Sequence, residues 1–210
     1  MERVSENPTF RQVAEADFPT RWGHFRIIGF EGPNIDIIDR RRNTREELVA
    51  LVMGDLQAKP PLVRIHSQCL TGDVFGSLRC DCRQQLEMAL AMIAKEGAGV
   101  LIYEQKEGRG IGLMPKLQAY ALQDQGRDTV QANEDLGFRA DHREFQGAAA
   151  VLQLLGVEAV RLLSNNPQKV AALEDAGIKV VERVPAEVDA HERSKKYLKT
   201  KKEKLGHLLG

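Results

Sequence analysis

Cysteine, net charge and long apolar runs are what this 210-residue chain lacks. Three cysteines, an odd number, exclude a disulfide scaffold. Thirty Lys and Arg balance thirty Asp and Glu, so no overall field favours DNA, RNA or an anionic membrane, and any anion must be caught locally. No apolar run approaches the roughly 20 residues that a membrane span needs. The opening MERVSENPTFRQ has no hydrophobic stretch of the signal-peptide kind. From these absences we expect a soluble, cytoplasmic protein without nucleic-acid or membrane partners. Internal repeats, low-complexity segments and a long linker are also missing, so a single domain over 1–210 is expected, with residues 1–12 as a flexible N-terminus and 192–210 as a basic tail.

What is present is a core and a pattern. Hydrophobic residues form 42% of the chain, enough for one sizeable core. WGHFRIIGFE (22–31) and EELVALVMGD (46–55) read as strands, joined by a polar segment whose role is not legible. After the interruption at Pro60-Pro61, LVRIHS reads as a buried strand. Apolar residues from Leu86 to Ala94 recur at helical spacing up to Gly97, and GVLIYEQ returns to strand. A glycine-rich EGRGIG (107–112), a helix LMPKLQAYALQDQG and a polar stretch to about Arg143 follow. FQGAAAVLQLLG, AVRLLS, NPQKVAALEDAG and IKVVERV then alternate helix and strand, with Asn165 or Asn166 as a cap. Such alternation implies an α/β layered fold. The lysine-rich tail is either a solvated basic helix or a surface for phosphate or a partner.

All three cysteines, Cys69, Cys80 and Cys82, fall within HSQCLTGDVFGSLRCDC. Thiolates gathered by a strand end and a loop suit a soft tetrahedral cation such as Zn²⁺, and three protein ligands leave a position open, as in catalytic sites. Three buried free thiols are the plainer alternative. Nearby His66 is a fourth ligand, a substrate contact or a core residue.

Three further segments suit anions. EGRGIG lies between a strand and a helix, offering backbone N–H groups and Arg109, although an ordinary tight turn reads the same way. SNNPQK (164–169) sets Ser164 and Lys169 where a strand end meets a helix start. GFRADHREF packs Arg139, Asp141, His142 and Arg143 together, either a base beside phosphate-holding guanidiniums or a solvated loop.

RIHSQCLTGDVFGSLRCDCRQQLE, YEQKEGRGIGL, YALQDQGRDTVQAN, LGFRADHREF, LLSNNPQKV and YLKTKKEKLGHLL occur in an order and spacing that resemble GTP cyclohydrolase II, over roughly residues 13–210. The resemblance implies an α/β/α-layered fold with a mixed sheet. It also implies a homodimeric enzyme with one Zn²⁺ per subunit and Mg²⁺ on the GTP triphosphate. Its reaction yields 2,5-diamino-6-hydroxy-4-(5-phosphoribosylamino)pyrimidine, formate and pyrophosphate, opening riboflavin biosynthesis. Matched motif to motif, Cys69, Cys80 and Cys82 are the implied zinc ligands. Arg64, Ile65, His66, Ser67, Gln68, Gln85, Glu107, Gly108, Arg109, Thr129, Ser164 and Lys169 are the implied GTP contacts. Asp141 falls at the proton acceptor, Arg143 at the nucleophile, and Tyr120 at a further residue of the chemistry. A guanidinium is a poor nucleophile, so an electrostatic role for Arg143 stands beside the implied one.

The chain departs from the pattern at three places: Gln68 replaces Glu, Arg83 replaces Gly, and Ser164 replaces Thr. Ser164 keeps the hydroxyl; Gln68 lacks a carboxylate and Arg83 adds a cation near the cysteines. Two alternatives follow, a variant that retains the formyl group and a zinc-stabilised nucleotide-binding protein without turnover.

Overall fold

The computed structural model describes residues 9–33, 45–139, 141–188, 206 and 208. Its strands are β1 (Arg11–Thr20), β2 (Gly23–Pro33), β3 (Arg45–Met53), β4 (Leu62–Ser67), β5 (Gly99–Glu104), β6 (Ala159–Leu163) and β7 (Lys179–Val184). They form one sheet in the order β1-β2-β3-β5-β4-β6-β7. Pairing is antiparallel from β1 through β5 and parallel from β5 through β7, so the sheet is mixed. The helices among the described residues are α1 (Cys82–Glu96), α2 (Leu113–Asp124), α3 (Thr129–Asp135), α4 (Gln146–Leu154) and α5 (Pro167–Asp175).

The central strands are apolar on both sides because helices cover both faces. Phe145, Ala148, Val151 and Leu152 around α4, with Leu173 of α5, pack on Ile28, Phe30, Leu48, Ile65 and Ile102. Ala89, Leu90 and Ile93 of α1 pack on Phe25, Leu62 and Leu101 across the sheet. Each of these residues is at most 4% exposed, and truncating one of the larger ones to Ala costs about 2–5 kcal/mol. The layered α/β/α expectation therefore holds.

Two readings need correction. Arg11 and Gln12, expected in a flexible N-terminus, begin β1. Every residue of that strand but Thr20 is exposed, so burial leaves no periodic trace. The backbone ladder to β2 and cross-strand pairs hold it instead: Arg11 with Glu31, Glu15 with Arg26, and Asp17 with His24. The polar stretch before Arg143 contains α3, whose Asp128 cap accepts from Val130 N (2.8 Å) and Gln131 N (3.0 Å) while the Gln131 side chain accepts from Asp128 N. The D-x-x-Q pattern was a readable capping signal. The segment 34–44 between β2 and β3, and the basic tail apart from Gly206 and Leu208, lie outside the described residues. Leu208 N donates to Asn165 O (2.9 Å).

The parallel strands run the same way, with β5 and β6 on either side of β4. Their carboxyl ends, Ser67, Glu104 and Leu163, lie along one edge of the sheet, where open α/β sheets form their crevices.

Candidate active site

Just past the end of β4 the chain makes a tight turn, Leu70–Val74, before the loop to α1. This turn brings Cys69 to Cys80 (Sγ to Sγ 3.7 Å), and the three sulfur atoms, with that of Cys82, lie within 4.8 Å of one another. Gly72 forms the floor: a Cβ there would sit 2.9 Å from Cys80 Sγ and 3.1 Å from Cys69 Sγ. Three convergent thiols over a residue with no side chain are a cradle that can hold a metal ion, and the soft donor set fits zinc. Hydrogen bonds from Cys80 and Cys82, assisted by the Lys116 ammonium against the effect of burial, hold the Cys69 thiol far below its ordinary value. Donation to Cys69 in turn pushes Cys80 up to about 11 and Cys82 well above the usual range.

The second wall is the turn Glu107–Gly110, where Gly108 and Arg109 both take left-handed backbone (φ 61°). A non-glycine residue held there is a strained feature of the kind found at working sites. Glu107 ties this turn to the first: its carboxylate accepts from Leu70 N (2.6 Å), Gly108 N (2.9 Å) and Lys116 Nζ (2.7 Å). Tyr120 meets Thr71 (3.2 Å) and lies beneath Arg79, whose guanidinium is 4.8 Å from the ring centre. Burial pushes the Tyr120 phenol up to about 12, so it stays protonated.

Two adjoining cavities open here. The first, about 680 Å³ including the space open to solvent, is bordered by the three cysteines, Gln68, Glu107, Tyr120, Thr129 and Asn133. The second, about 570 Å³, gathers Arg64, Arg109, Arg143 and Lys169 with His66, Gln85 and Ser164. Ser67, Cys82, Arg109 and Arg143 border both. Arg64 donates to Leu163 O (3.0 Å) and Gln85 Oε1 (2.6 Å), and burial lowers it to about 10. Lys169 donates to Ile65 O (2.7 Å); burial, with Arg64 and Arg143 nearby, carries its ammonium well below the ordinary lysine value. Ser164 Oγ accepts from Asn166 N (3.0 Å), and Asn166 caps α5 as expected.

Asp141 grips Arg143 with both oxygens and accepts from its backbone N–H (3.0 Å). Burial would raise this carboxyl, but the Arg143 charge and hydrogen bonds bring it down to about 2. Arg143 Nη1 also donates to Ser67 Oγ (3.3 Å), and Ser67 Oγ donates to Glu104 Oε2 (3.1 Å).

His66 lies outside the thiol cluster. Its Nε2 meets Asp73 (3.1 Å) and its ring stacks on Tyr103, whose hydroxyl also donates to Asp73 (2.9 Å). Burial lowers the imidazole against the Asp73 hydrogen bond, leaving a neutral ring whose Nδ1 has no hydrogen-bond partner among the described residues. Arg83 pairs with Glu87 along α1 on the exposed side, so its charge does not serve the thiols. Sequence reading missed Asp73, Glu104, Lys106, Lys116 and Glu46. Lys106 is buried between Glu46 (2.9 Å) and Glu104 (3.6 Å), the carboxylate that accepts from Ser67. The readable signal was charge inside apolar runs, as in GVLIYEQK.

In this α/β fold a thiol cradle adjoins a cation-lined cavity at the carboxyl ends of parallel strands, an arrangement that can hold a metal ion beside an anion. Residues 11–185 match the family described as GTP cyclohydrolase II, and the chain belongs to that family. It is 54% identical over 201 residues to the GTP cyclohydrolase-2 of Escherichia fergusonii, covering 95% of this chain and 97% of the relative. The Citrobacter koseri protein of the same name is 54% identical over 95% of this chain and 98% of its own. RibBX, a solved two-domain 3,4-dihydroxy-2-butanone 4-phosphate synthase from A. baumannii, aligns with 74% of this chain and 34% of its own at 19% identity and a TM-score of 0.39. The chain is thus a hydrolase of the GTP cyclohydrolase II type. Among the described residues no helix is long and apolar enough to cross a membrane.

Proposed function

We propose that this protein hydrolyses GTP to 2,5-diamino-6-hydroxy-4-(5-phosphoribosylamino)pyrimidine, formate and pyrophosphate, with Zn²⁺ on Cys69, Cys80 and Cys82 and Mg²⁺ on the triphosphate. The observation that carries this reading is the shared wall of the two cavities: Ser67, Cys82, Arg109 and Arg143 border both. A nucleotide lying across that wall presents its ring to the thiols and its phosphates to the cations. Zinc, when bound, supplies Lewis acidity for hydrolysis at C8 of the purine, where one water opens the ring and a second releases formate. Arg64, Arg109 and Lys169 neutralise phosphate oxygens. Gln68, Thr129 and Asn133 offer neutral groups to the base and sugar, while Tyr120 keeps a hydroxyl proton available to the ring.

Arg143 has two readings. As a nucleophile it would need Asp141 to take its proton, yet a carboxyl held at about 2 is a weak base. The fork geometry favours the electrostatic reading, in which Asp141 fixes the guanidinium and Arg143 offsets charge on the phosphoryl group as water attacks. His66 serves as a neutral acceptor beside the substrate rather than as a metal ligand. We further propose that the enzyme works as a homodimer in the cytoplasm, in riboflavin biosynthesis.

The test is product analysis with zinc-loaded protein, GTP and Mg²⁺. Equal formate and pyrophosphate, with the deformylated diaminopyrimidine by mass and loss of all three after o-phenanthroline, is the expected result. A formylated product without formate would move the assignment to the ring-opening variant. GTP left intact by metal-replete protein would overturn catalysis in favour of nucleotide sensing.

A further inference from the structure

We infer that Lys116 is the charge partner of the Cys69 thiolate, a positioning residue that withdraws electron density from that sulfur and so raises the electrophilicity of the metal held by the three cysteines. The inference rests on the metal reading of the thiol cradle given above and goes beyond it by assigning a residue outside the ligand set.

Lys116 stands where a lysine is costly. It lies in the first turn of α2, at the end of the helix where the backbone dipole disfavours a cation. Its side chain is only 12% exposed, although a lysine ordinarily extends its ammonium into water. Two anions offset that cost. Nζ is 3.1 Å from Cys69 Sγ and 2.7 Å from Glu107 Oε1, and it lies 5.7 Å from the centre of the Tyr120 ring. Glu107 is itself fixed by the Leu70 and Gly108 N–H groups, so the ammonium is aimed at the sulfur by an anchor that cannot swing. Gly108 completes the fit: a Cβ there would approach the Cβ of Lys116 to 3.1 Å.

The charge sum gives this geometry a purpose. Three thiolates on a divalent ion leave an excess negative charge and make a poor Lewis acid, because each sulfur donates strongly. An ammonium hydrogen-bonded to one sulfur, while it also pairs with Glu107, weakens that sulfur's donation, as outer partners of metal ligands do. A merely structural lysine would instead be expected to tighten the metal site.

The two roles predict opposite behaviour in the cobalt-substituted protein. In Lys116→Met the thiolate-to-cobalt charge-transfer absorption should move to longer wavelength, and zinc should be held at least as tightly against a chromophoric chelator. With zinc, kcat should fall about 10- to 100-fold, with KM for GTP unchanged. Lys116→Arg, which keeps the charge, should restore the band position and most of kcat. An unmoved band in Lys116→Met, or zinc held more weakly in step with kcat, would overturn the inference and leave the metal site standing. A wild-type protein that shows no thiolate-to-cobalt band would remove the metal reading and this inference with it.

Discussion

Gly72 and Asp141 show how single side chains, one absent and one present, set the chemistry of the site. Gly72 leaves the space into which the three sulfurs converge, and a methyl group there would meet Cys80 Sγ at 2.9 Å. Overpacking of that kind costs about 1–3 kcal/mol, which corresponds to roughly a 5- to 150-fold change in an equilibrium constant. Gly72→Ala should therefore lose zinc to a competing chelator far more readily than wild type while its far-UV circular dichroism is unchanged; equal retention would mean that the cradle is looser than its geometry. Asp141 acts through Arg143. Asp141→Asn keeps one acceptor oxygen but removes the charge that fixes the fork, so kcat should fall about 100- to 1,000-fold, the scale of losing one preorganised stabilising group. GTP binding, measured by calorimetry, should change little because Arg64, Arg109 and Lys169 remain. Unchanged turnover in Asp141→Asn would remove Asp141 from the chemistry under either reading of Arg143.

At the scale of elements, the site depends on short helices that hold cavity walls in place. α3 presents Thr129 and Asn133 to the first cavity, and its start is fixed by the Asp128 and Gln131 capping box. Asp128→Ala should cost about 1 kcal/mol of stability, read as a lower midpoint in urea, and should raise KM for GTP more than it lowers kcat, because the thiols and Arg143 sit on other segments. A kcat defect with unchanged KM would place α3 in the chemistry rather than in binding. The capping box is written in the sequence, but the seven residues of α3 are too few to display a helical apolar face, so composition alone shows only a polar stretch. β1 was missed for the complementary reason: its stability comes from the ladder and from pairs such as Glu15 with Arg26, neither of which leaves a hydrophobic pattern. α1 was legible because burial of one face imprints a helical period, and β4 because burial on both faces leaves a short apolar run after Pro60-Pro61. The thiol trio was legible because its members are near in sequence. Lys116 lies 47 residues from Cys69, and Glu104 lies 37 from Ser67, so those contacts arise only when the sheet brings the loops together.

Over the whole molecule the charges cancel, yet the fold concentrates Arg64, Arg109, Arg143 and Lys169 around one cavity. At physiological salt the Debye length is about 8 Å, so a neutral surface offers a distant nucleotide little steering, and recognition must come from this local concentration. The cost falls on Lys169, whose ammonium is disfavoured by burial and then by Arg64 and Arg143. A polyphosphate entering the cavity reverses that balance by favouring the charged form, so the lysine value rises on binding. Between the lowered ligand-free value and the raised bound value, binding takes up a proton; affinity therefore falls as pH rises through that window. Titration calorimetry with inorganic pyrophosphate in buffers of different ionisation enthalpy should register this uptake as a buffer-dependent heat. Lys169→Met should remove the lysine's share of it, leaving only the proton exchange of pyrophosphate itself, and should weaken binding while leaving the zinc content of the protein unchanged. The same buffer dependence in wild type and Lys169→Met at every pH at which the protein stays folded would mean that Lys169 keeps one protonation state in the empty and the filled cavity, and that the substrate does not set its charge.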